Sequence, residues 1–260
     1  MHADGRTAGN DGRGWRLPDT ATARLRLALG YPYPAPDASY VFHDGDVHAF
    51  DPALLDGRTP VLAHGSNRAP AQLARKFANF PKPDSTIPVS YVWLRDYDVV
   101  YSAHVTSYGA VASTLQHAPG CRARVALTWL DDAQLARMHE TEGNYSFGVL
   151  DGVRAAPEVE DVDLSHRIAM YLSNHGHLAD ESPDGGRHPV GLSAVRAEPR
   201  PHGARTQGQV LETLRRRLAP ERGFEGFVLG IVHDDGFRRA VNAALAEHAG
   251  PTHVPHFAAA

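Results

Sequence analysis

The sequence contains a single cysteine, Cys121, in 260 residues. One cysteine excludes an intramolecular disulfide framework and any metal site built from several thiolates. Cys121 follows a Pro-Gly pair, where we expect a small residue at the start of a strand rather than a nucleophile. No uninterrupted apolar run approaches the roughly 18 residues of a membrane span, and residues 1–16 lack the apolar core of a secretory signal. We therefore expect a cytoplasmic protein with no membrane partner.

Lysine is also scarce: Lys76 and Lys82 are the only two, and arginine supplies the remaining basic charge. We interpret this bias as a compositional effect rather than as the mark of an arginine-specific site. The formal net charge of −4 gives no reason to expect nucleic acid as a partner. The apolar content of 42% is ordinary for a globular protein, and a chain of this length can bury a substantial core.

Composition divides the chain into four segments. Residues 1–20 are rich in Gly, Asp and Arg without periodicity, which predicts a disordered tail. Residues 21–58 form an N-terminal extension, in which three prolines between Tyr31 and Pro36 predict an extended strap over the domain. Residues 59–218 form the main domain, and residues 219–260 form a C-terminal strand and helix extension packed on it.

The sequence pattern of the main domain predicts an α+β fold. Short β-rich segments follow one another with turn signals at Tyr108-Gly109 and Ala118-Pro119-Gly120, which favours an antiparallel or barrel-like sheet. The predicted strands are 61–63, 89–94, 97–105, 110–115, 122–130, 147–153, 168–172 and, in the C-terminal extension, 224–232. Helices are predicted at 20–29, from Pro70, from Asp131 or Asp132, at 206–218 and at 236–248.

Residues 61–70 are the most informative stretch, because they predict a short apolar strand, a tight polar loop and a helix opened by proline. Backbone N–H groups of such a loop converge on one spot, which the helix dipole makes favourable for an anion. The loop consists of His64, Gly65, Ser66 and Asn67. It lacks the lysine and spaced glycines of a P-loop, so we expect a small carboxylate rather than a nucleotide. Alternatively, Ser66 or Asn67 only caps the helix.

Glu142 is the second candidate. It lies near the C-terminal end of a short predicted helix, which Gly143 terminates. If it reaches the loop at 64–67, its carboxylate can act as a general acid and base. Tyr145, three residues further on, is a candidate for binding the substrate. The alternative interpretation is that Glu142 is ordinary surface charge.

These segments together resemble γ-glutamylcyclotransferase-like proteins over roughly residues 59–200. His64-Gly65-Ser66-Asn67 resembles the Tyr-Gly-Ser-Asn loop of that family, with histidine in place of tyrosine. Glu142-Gly143 falls where the family has its catalytic Glu-Gly. Residues 109–120 and 169–172 resemble a strand and turn between the two motifs and a later strand.

The resemblance implies a small mixed β-barrel with flanking helices and a site at its mouth. It also implies release of 5-oxoproline from a γ-glutamyl peptide or amine, without a metal or cofactor. In that reaction the loop at 64–67 would hold the α-carboxylate of the substrate, and Glu142 would transfer the proton. The two extensions are candidates for closing the site or for forming a homodimer face.

Parts of the sequence are compatible with three other functional classes. The first is a metal-assisted hydrolase using some of the 16 histidines, with His43, Asp46, His48, His175, His177 and His188 as candidate ligands. Most of these lie among Gly, Asp and Pro, where histidine is usually solvated, so we expect no metal site. A serine hydrolase is disfavoured because residues 191–195 lack the final glycine of a nucleophile elbow. A non-catalytic carboxylate-binding protein on the same fold is the main alternative to an enzyme.

Overall fold

The computed structural model describes residues 16–78, 80, 85–160, 162, 164, 167–181 and 185–260. Most of the predicted tail, residues 1–15, lies outside the described residues. Within the described ranges, no helix is both long enough and apolar enough to cross a membrane.

The helices and strands alternate irregularly along the chain. The α-helices are α1 (Ala21–Leu29), α2 (Pro70–Lys76), α3 (Asp132–Thr141), α4 (Gln207–Leu218), α5 (Phe224–His233) and α6 (Asp235–Ala246). The strands of the first half are β1 (Tyr40–His43), β2 (Asp46–Ala49), β3 (Thr59–Ala63), β4 (Ile87–Val105) and β5 (Val111–Leu130). The later strands are β6 (Tyr145–Asp151), β7 (Ala155–Pro157), β8 (Arg167–Ser173), β9 (His177–Glu181), β10 (Arg187–Pro189), β11 (Gly191–Leu192), β12 (Ala197–Glu198), β13 (Ala204–Arg205), β14 (Ala249–Gly250) and β15 (Phe257–Ala259). Short 3-10 helices cover Pro52–Leu55 and Ser66–Arg68.

A large mixed sheet organises the molecule. Its main path runs β10-β9-β4-β5-β3-β8-β6-β15, and the shorter strands pair with members of this path or with one another. The sheet is mixed because β3 pairs with β5 antiparallel and with β8 parallel. The predicted α+β class is confirmed. The predicted small barrel is not confirmed, since the path has separate ends at β10 and β15 and does not close.

The two central strands are longer than the sequence suggested. Four predicted strands merge into β4 and β5, which pair over most of their length. The prediction that Ala118-Pro119-Gly120 is a turn between strands is wrong, because these residues lie inside β5 at a bulge. Asp96 and Gly120 have positive φ angles there, and the Gly120 N–H donates to Asp96 Oδ1 at 2.9 Å. A Pro-Gly pair therefore bends this ladder without ending it.

The predicted strand at 224–232 is also wrong, since Phe224–His233 forms helix α5. Its β-branched residues favour a strand locally, but Phe227, Val228, Ile231 and Val232 recur at helical spacing and are all buried. Packing against α1 and α6 therefore outweighs the local strand preference.

Both extensions share the core of the main domain. Ala28, Tyr31 and Tyr33 from the N-terminal extension belong to the same buried cluster as Phe227 and Leu245 from the C-terminal one, together with the inner residues of β4 and β5. Helix α6 packs directly against β4. This packing brings side chains from both extensions to the end of β3, where the candidate loop lies.

Candidate active site

The loop at 64–67 leaves the sheet at its centre, directly after β3. Helix α2 begins at Pro70, as predicted, and its N-cap is Ala69, which makes no capping side-chain bond. The alternative that Ser66 or Asn67 caps this helix is therefore wrong. The second half of the loop forms a 3-10 turn at Ser66–Arg68 that ends before Ala69, and the Asn67 amide bonds to Glu142 instead of to the helix.

Glu142 meets this loop. It is the C-cap of α3, a helix that Asp131 opens through a capping box with Gln134. The side-chain amide of Asn67 donates to Glu142 Oε1 at 2.9 Å. The structure thus brings together the two segments that the sequence singled out, 75 positions apart.

Lys76 is a site residue that the sequence interpretation missed. Its ammonium pairs with Glu142 Oε1 and donates to Met138 Sδ at 3.3 Å, and its backbone carbonyl accepts from Arg137 Nε at 2.9 Å. The Lys76 and Glu142 side chains are only 7% and 11% exposed. A charge so deeply buried requires a partner, so this pair is a structural constraint on the carboxylate.

His64 is held by a hydrogen-bond chain that fixes its tautomer. Its Nε2 lies 3.1 Å from the Tyr171 carbonyl oxygen, which can only accept, so Nε2 carries a proton. Burial lowers the pKa of His64, which favours the neutral ring. Nδ1 then accepts from the Ser113 hydroxyl at 3.1 Å. Tyr31 completes the chain by donating to Ser113 Oγ at 2.7 Å while accepting from the Ser113 N–H at 3.0 Å.

Tyr31 belongs to the strap and explains why Gly65 must lack a side chain. A Cβ on Gly65 would lie 2.4 Å from the Tyr31 hydroxyl and 2.7 Å from Ser113 Oγ, closer than real contacts allow. The φ angle of Gly65 is −117°, so the requirement is one of space and not of backbone conformation. The strap thus presses a polar group against the loop.

Tyr145 and His104 form the wall beside His64. The Tyr145 hydroxyl donates to the Ser113 carbonyl at 3.1 Å, and its ring lies 6.4 Å from His64 and 6.0 Å from His104. His104 bonds through Nδ1 to Ser102 Oγ at 2.9 Å and packs on His175. Burial, reinforced by His175, lowers the pKa of His104 to about 3, so its ring is neutral near pH 7.

These groups enclose a cavity of about 300 Å³. Every sequence-predicted site residue lines it: His64, Gly65, Ser66, Asn67, Glu142 and Tyr145. Its other charged or titratable lining residues, which sequence reasoning missed, are Lys76, His104, Arg238 and the tyrosines Tyr31, Tyr108 and Tyr171. Arg238 comes from α6, so the C-terminal extension forms part of the wall.

The residues considered as metal ligands lie in separate parts of the structure, with His43, Asp46 and His48 on one hairpin. His43 and Asp46 flank the two-residue turn of the β1–β2 hairpin, His175 packs on His104, and His188 stacks on His202. Among the described residues, no three His, Cys, Asp or Glu side chains are grouped to hold a metal ion. Cys121 lies inside β5 rather than at a strand start, and burial raises the pKa of its thiol to about 11.

No family model matches this chain, and no curated protein matches it closely. The resemblance to γ-glutamylcyclotransferase-like proteins therefore stays a prediction.

Proposed function

We propose that this protein is a γ-glutamylcyclotransferase-like enzyme that releases 5-oxoproline from a γ-glutamyl peptide or amine. The observation that carries the proposal is the contact between Asn67 and Glu142. It places a buried carboxylate beside the loop at residues 64–67, and both line one cavity. The assignment of the mixed α+β fold to that family belongs to the same proposal.

The loop would bind the α-carboxylate of the γ-glutamyl group. The backbone N–H groups of residues 65–67 are the donors in this scheme. His64, which precedes these donors, is held rigid by its bonds to Ser113 and Tyr171. A preorganised cradle lowers the entropic cost of holding the amine and carbonyl of the substrate in reacting distance.

Glu142 would transfer the proton. The α-amine attacks its own γ-carbonyl, the new C–N bond closes the five-membered ring, and the bond to the leaving nitrogen breaks. Of the two protons lost by the α-ammonium, one reaches the leaving nitrogen through Glu142 and the other protonates the released amine. Asn67 and Lys76 both contact Oε1, so Oε2 is the oxygen that takes the proton in this scheme.

Replacing Glu142 by glutamine tests the proposal. Wild-type protein should release 5-oxoproline from a γ-glutamyl dipeptide, and Glu142→Gln should lower kcat by roughly a hundredfold or more because the proton carrier is lost. Glu140→Gln is the matched control, since Glu140 lies on the same helix and its side chain is 65% exposed. Chromatographic detection of 5-oxoproline measures both. Unchanged turnover in Glu142→Gln would remove Glu142 from the mechanism.

A non-catalytic carboxylate-binding protein is the second candidate. It is favoured by the ion pair with Lys76, which engages the carboxylate before any substrate arrives. Titration calorimetry with 5-oxoproline and a γ-glutamyl dipeptide distinguishes the two functions. Binding of the dipeptide by wild-type protein without any release of 5-oxoproline would establish the binding role.

A further inference from the structure

The two histidines that the described part of the chain contributes to the cavity wall are bonded differently. His64 uses both ring nitrogens, one toward Ser113 and the other toward Tyr171. His104 uses only Nδ1, which lies 2.9 Å from Ser102 Oγ. Its Nε2 has no hydrogen-bond partner among the described residues, and the surrounding protein does not enclose this atom completely. Nε2 is therefore available to a molecule in the cavity.

The surroundings of His104 direct that nitrogen toward the cavity. Ser102, which bonds to Nδ1, and His175, whose ring packs on that of His104 at 4.5 Å, do not line the cavity. Tyr145, whose ring lies 6.0 Å away, does line it. Because His104 itself lines the cavity and the partner of Nδ1 lies behind it, the far end of the ring, which carries Nε2, is the end that a ligand meets.

The hydroxyl groups behind the ring decide which nitrogen carries the proton. Ser102 Oγ lies 2.6 Å from Ser173 Oγ, which also accepts from the His175 N–H at 3.2 Å. Ser173 is buried, and among the described residues Ser102 Oγ is the only acceptor bonded to its hydroxyl. Ser173 then donates to Ser102, and Ser102 donates to His104 Nδ1. Burial lowers the pKa of His104 to about 3, so the neutral ring carries its one proton on Nε2.

The strand that carries His104 holds this N–H in place. The register of β4 against β5 shifts between Tyr101 and Val105, and such an irregularity re-aims side chains near a site. On the other side of His104, Val105 is fixed by Asn242 of α6. Asn242 Oδ1 accepts from the Val105 N–H at 2.7 Å, and its Nδ2 donates to the Val105 carbonyl at 3.2 Å. The cavity therefore contains a preorganised neutral donor.

We propose, on the basis of the proposed function, that the Nε2–H of His104 binds the γ-carbonyl oxygen of the substrate and stabilises the oxyanion that forms there. When the α-amine attacks, the π electrons of the carbonyl move to that oxygen, and Nε2–H donates to it without giving up its proton. The carbonyl forms again as the leaving nitrogen departs with the proton that Glu142 transfers. The low pKa of His104 keeps it from taking that proton itself, so the two residues have separate roles.

The test places an amide at each of the two nitrogen positions of the ring in turn. In His104→Asn the amide replaces Nδ1 and no donor remains at Nε2. For release of 5-oxoproline from a γ-glutamyl dipeptide, kcat should then fall by roughly a hundredfold. KM should stay within about threefold, because the lost bond strengthens only in the transition state. In His104→Gln the amide reaches the position of Nε2 and should keep kcat within about tenfold of the wild-type value.

Nitrogen NMR of histidine-labelled wild-type protein checks the tautomer without any turnover. The signals that are absent from His104→Gln should show a protonated Nε2 and an unprotonated Nδ1, and the reverse would overturn the proposal. Wild-type turnover in His104→Asn, or equal losses in both variants, would overturn the role of His104 and leave the proposed function standing. Absence of 5-oxoproline with wild-type protein would overturn the proposed function and this inference with it.

Discussion

Lys76 and Glu142 form a buried ion pair in the wall of the cavity. Burial removes water from each charge, and the attraction between the two charges offsets this cost. The pair therefore adds little to the free energy of unfolding compared with two apolar residues of the same shape. Removing one partner is different, because the remaining charge stays buried without compensation. The pair therefore defines where the carboxylate sits more than it stabilises the fold.

A double-mutant cycle tests this coupling. Lys76→Met should lower the free energy of unfolding by roughly 3–5 kcal/mol, because Glu142 loses its counter-charge. Adding Glu142→Gln should restore part of that loss, with a coupling energy of roughly 1–3 kcal/mol. Denaturant unfolding of the four proteins measures both values. Additive effects of the two substitutions would show that the charges do not interact.

His64 to Asn67 and Glu142 could be predicted as site residues because helix-start and helix-stop signals mark their positions in the sequence. It could have indicated Lys76, since a rare lysine three residues after the buried Leu73 falls on the inner face of α2. No local pattern marks Tyr31 or Arg238. Their place in the site follows from packing between distant segments, which periodicity does not record.

The strap and the loop fit each other with no space for one additional methyl group. The strap was predicted from its prolines, but the insertion of Tyr31 between Gly65 and Ser113 could not be, because it depends on the partner surface. The same limit applies to β4 and β5: their bulge depends on the pairing of Asp96 with Gly120 across the ladder. The helix at Phe224–His233 likewise depends on packing against distant segments, here α1 and α6.

Gly65→Ala tests the fit between strap and loop. The added Cβ would clash with the Tyr31 hydroxyl, so unfolding should become easier by roughly 1–3 kcal/mol. Combining it with Tyr31→Phe and Ser113→Ala removes both oxygens in its way and should recover part of the loss relative to that double variant alone. Thermal unfolding provides the comparison.

Gly226→Ala is the control for this prediction. Gly226 lies inside α5, and an added Cβ would have no heavy atom within 4 Å apart from its chain neighbours and the backbone of its own helix. Alanine should therefore stabilise the helix by up to about 1 kcal/mol. If Gly65→Ala behaved like Gly226→Ala, the strap would not be pressed against the loop.

The molecule as a whole buries several neutral histidines, and this makes its stability depend on pH. His64, His104, His175 and His177 all have pKa values lowered mainly by burial. As the pH falls, these histidines bind protons at a higher pH in the unfolded chain than in the folded one. The folded state therefore loses stability as the pH falls below about 6.5. For His104 the loss continues down to about pH 3.

His104→Asn isolates the contribution of His104. Asparagine places an amide near the position of Nδ1 and does not titrate. Between pH 6.5 and 5 the wild-type free energy of unfolding should fall by roughly 2 kcal/mol more than that of the variant. Urea unfolding at the two pH values measures the difference. Parallel pH profiles would mean that His104 binds its proton equally in both states.

The contact between Asn242 and Val105 has a consequence for biosynthesis. The two residues are 137 positions apart, and the amide of Asn242 occupies the place of a neighbouring strand beside the end of β4. During translation this strand end leaves the ribosome long before the side chain that covers it. A nascent chain therefore carries an uncovered β edge next to its unfinished site, open to pairing with other chains until the last helix is made.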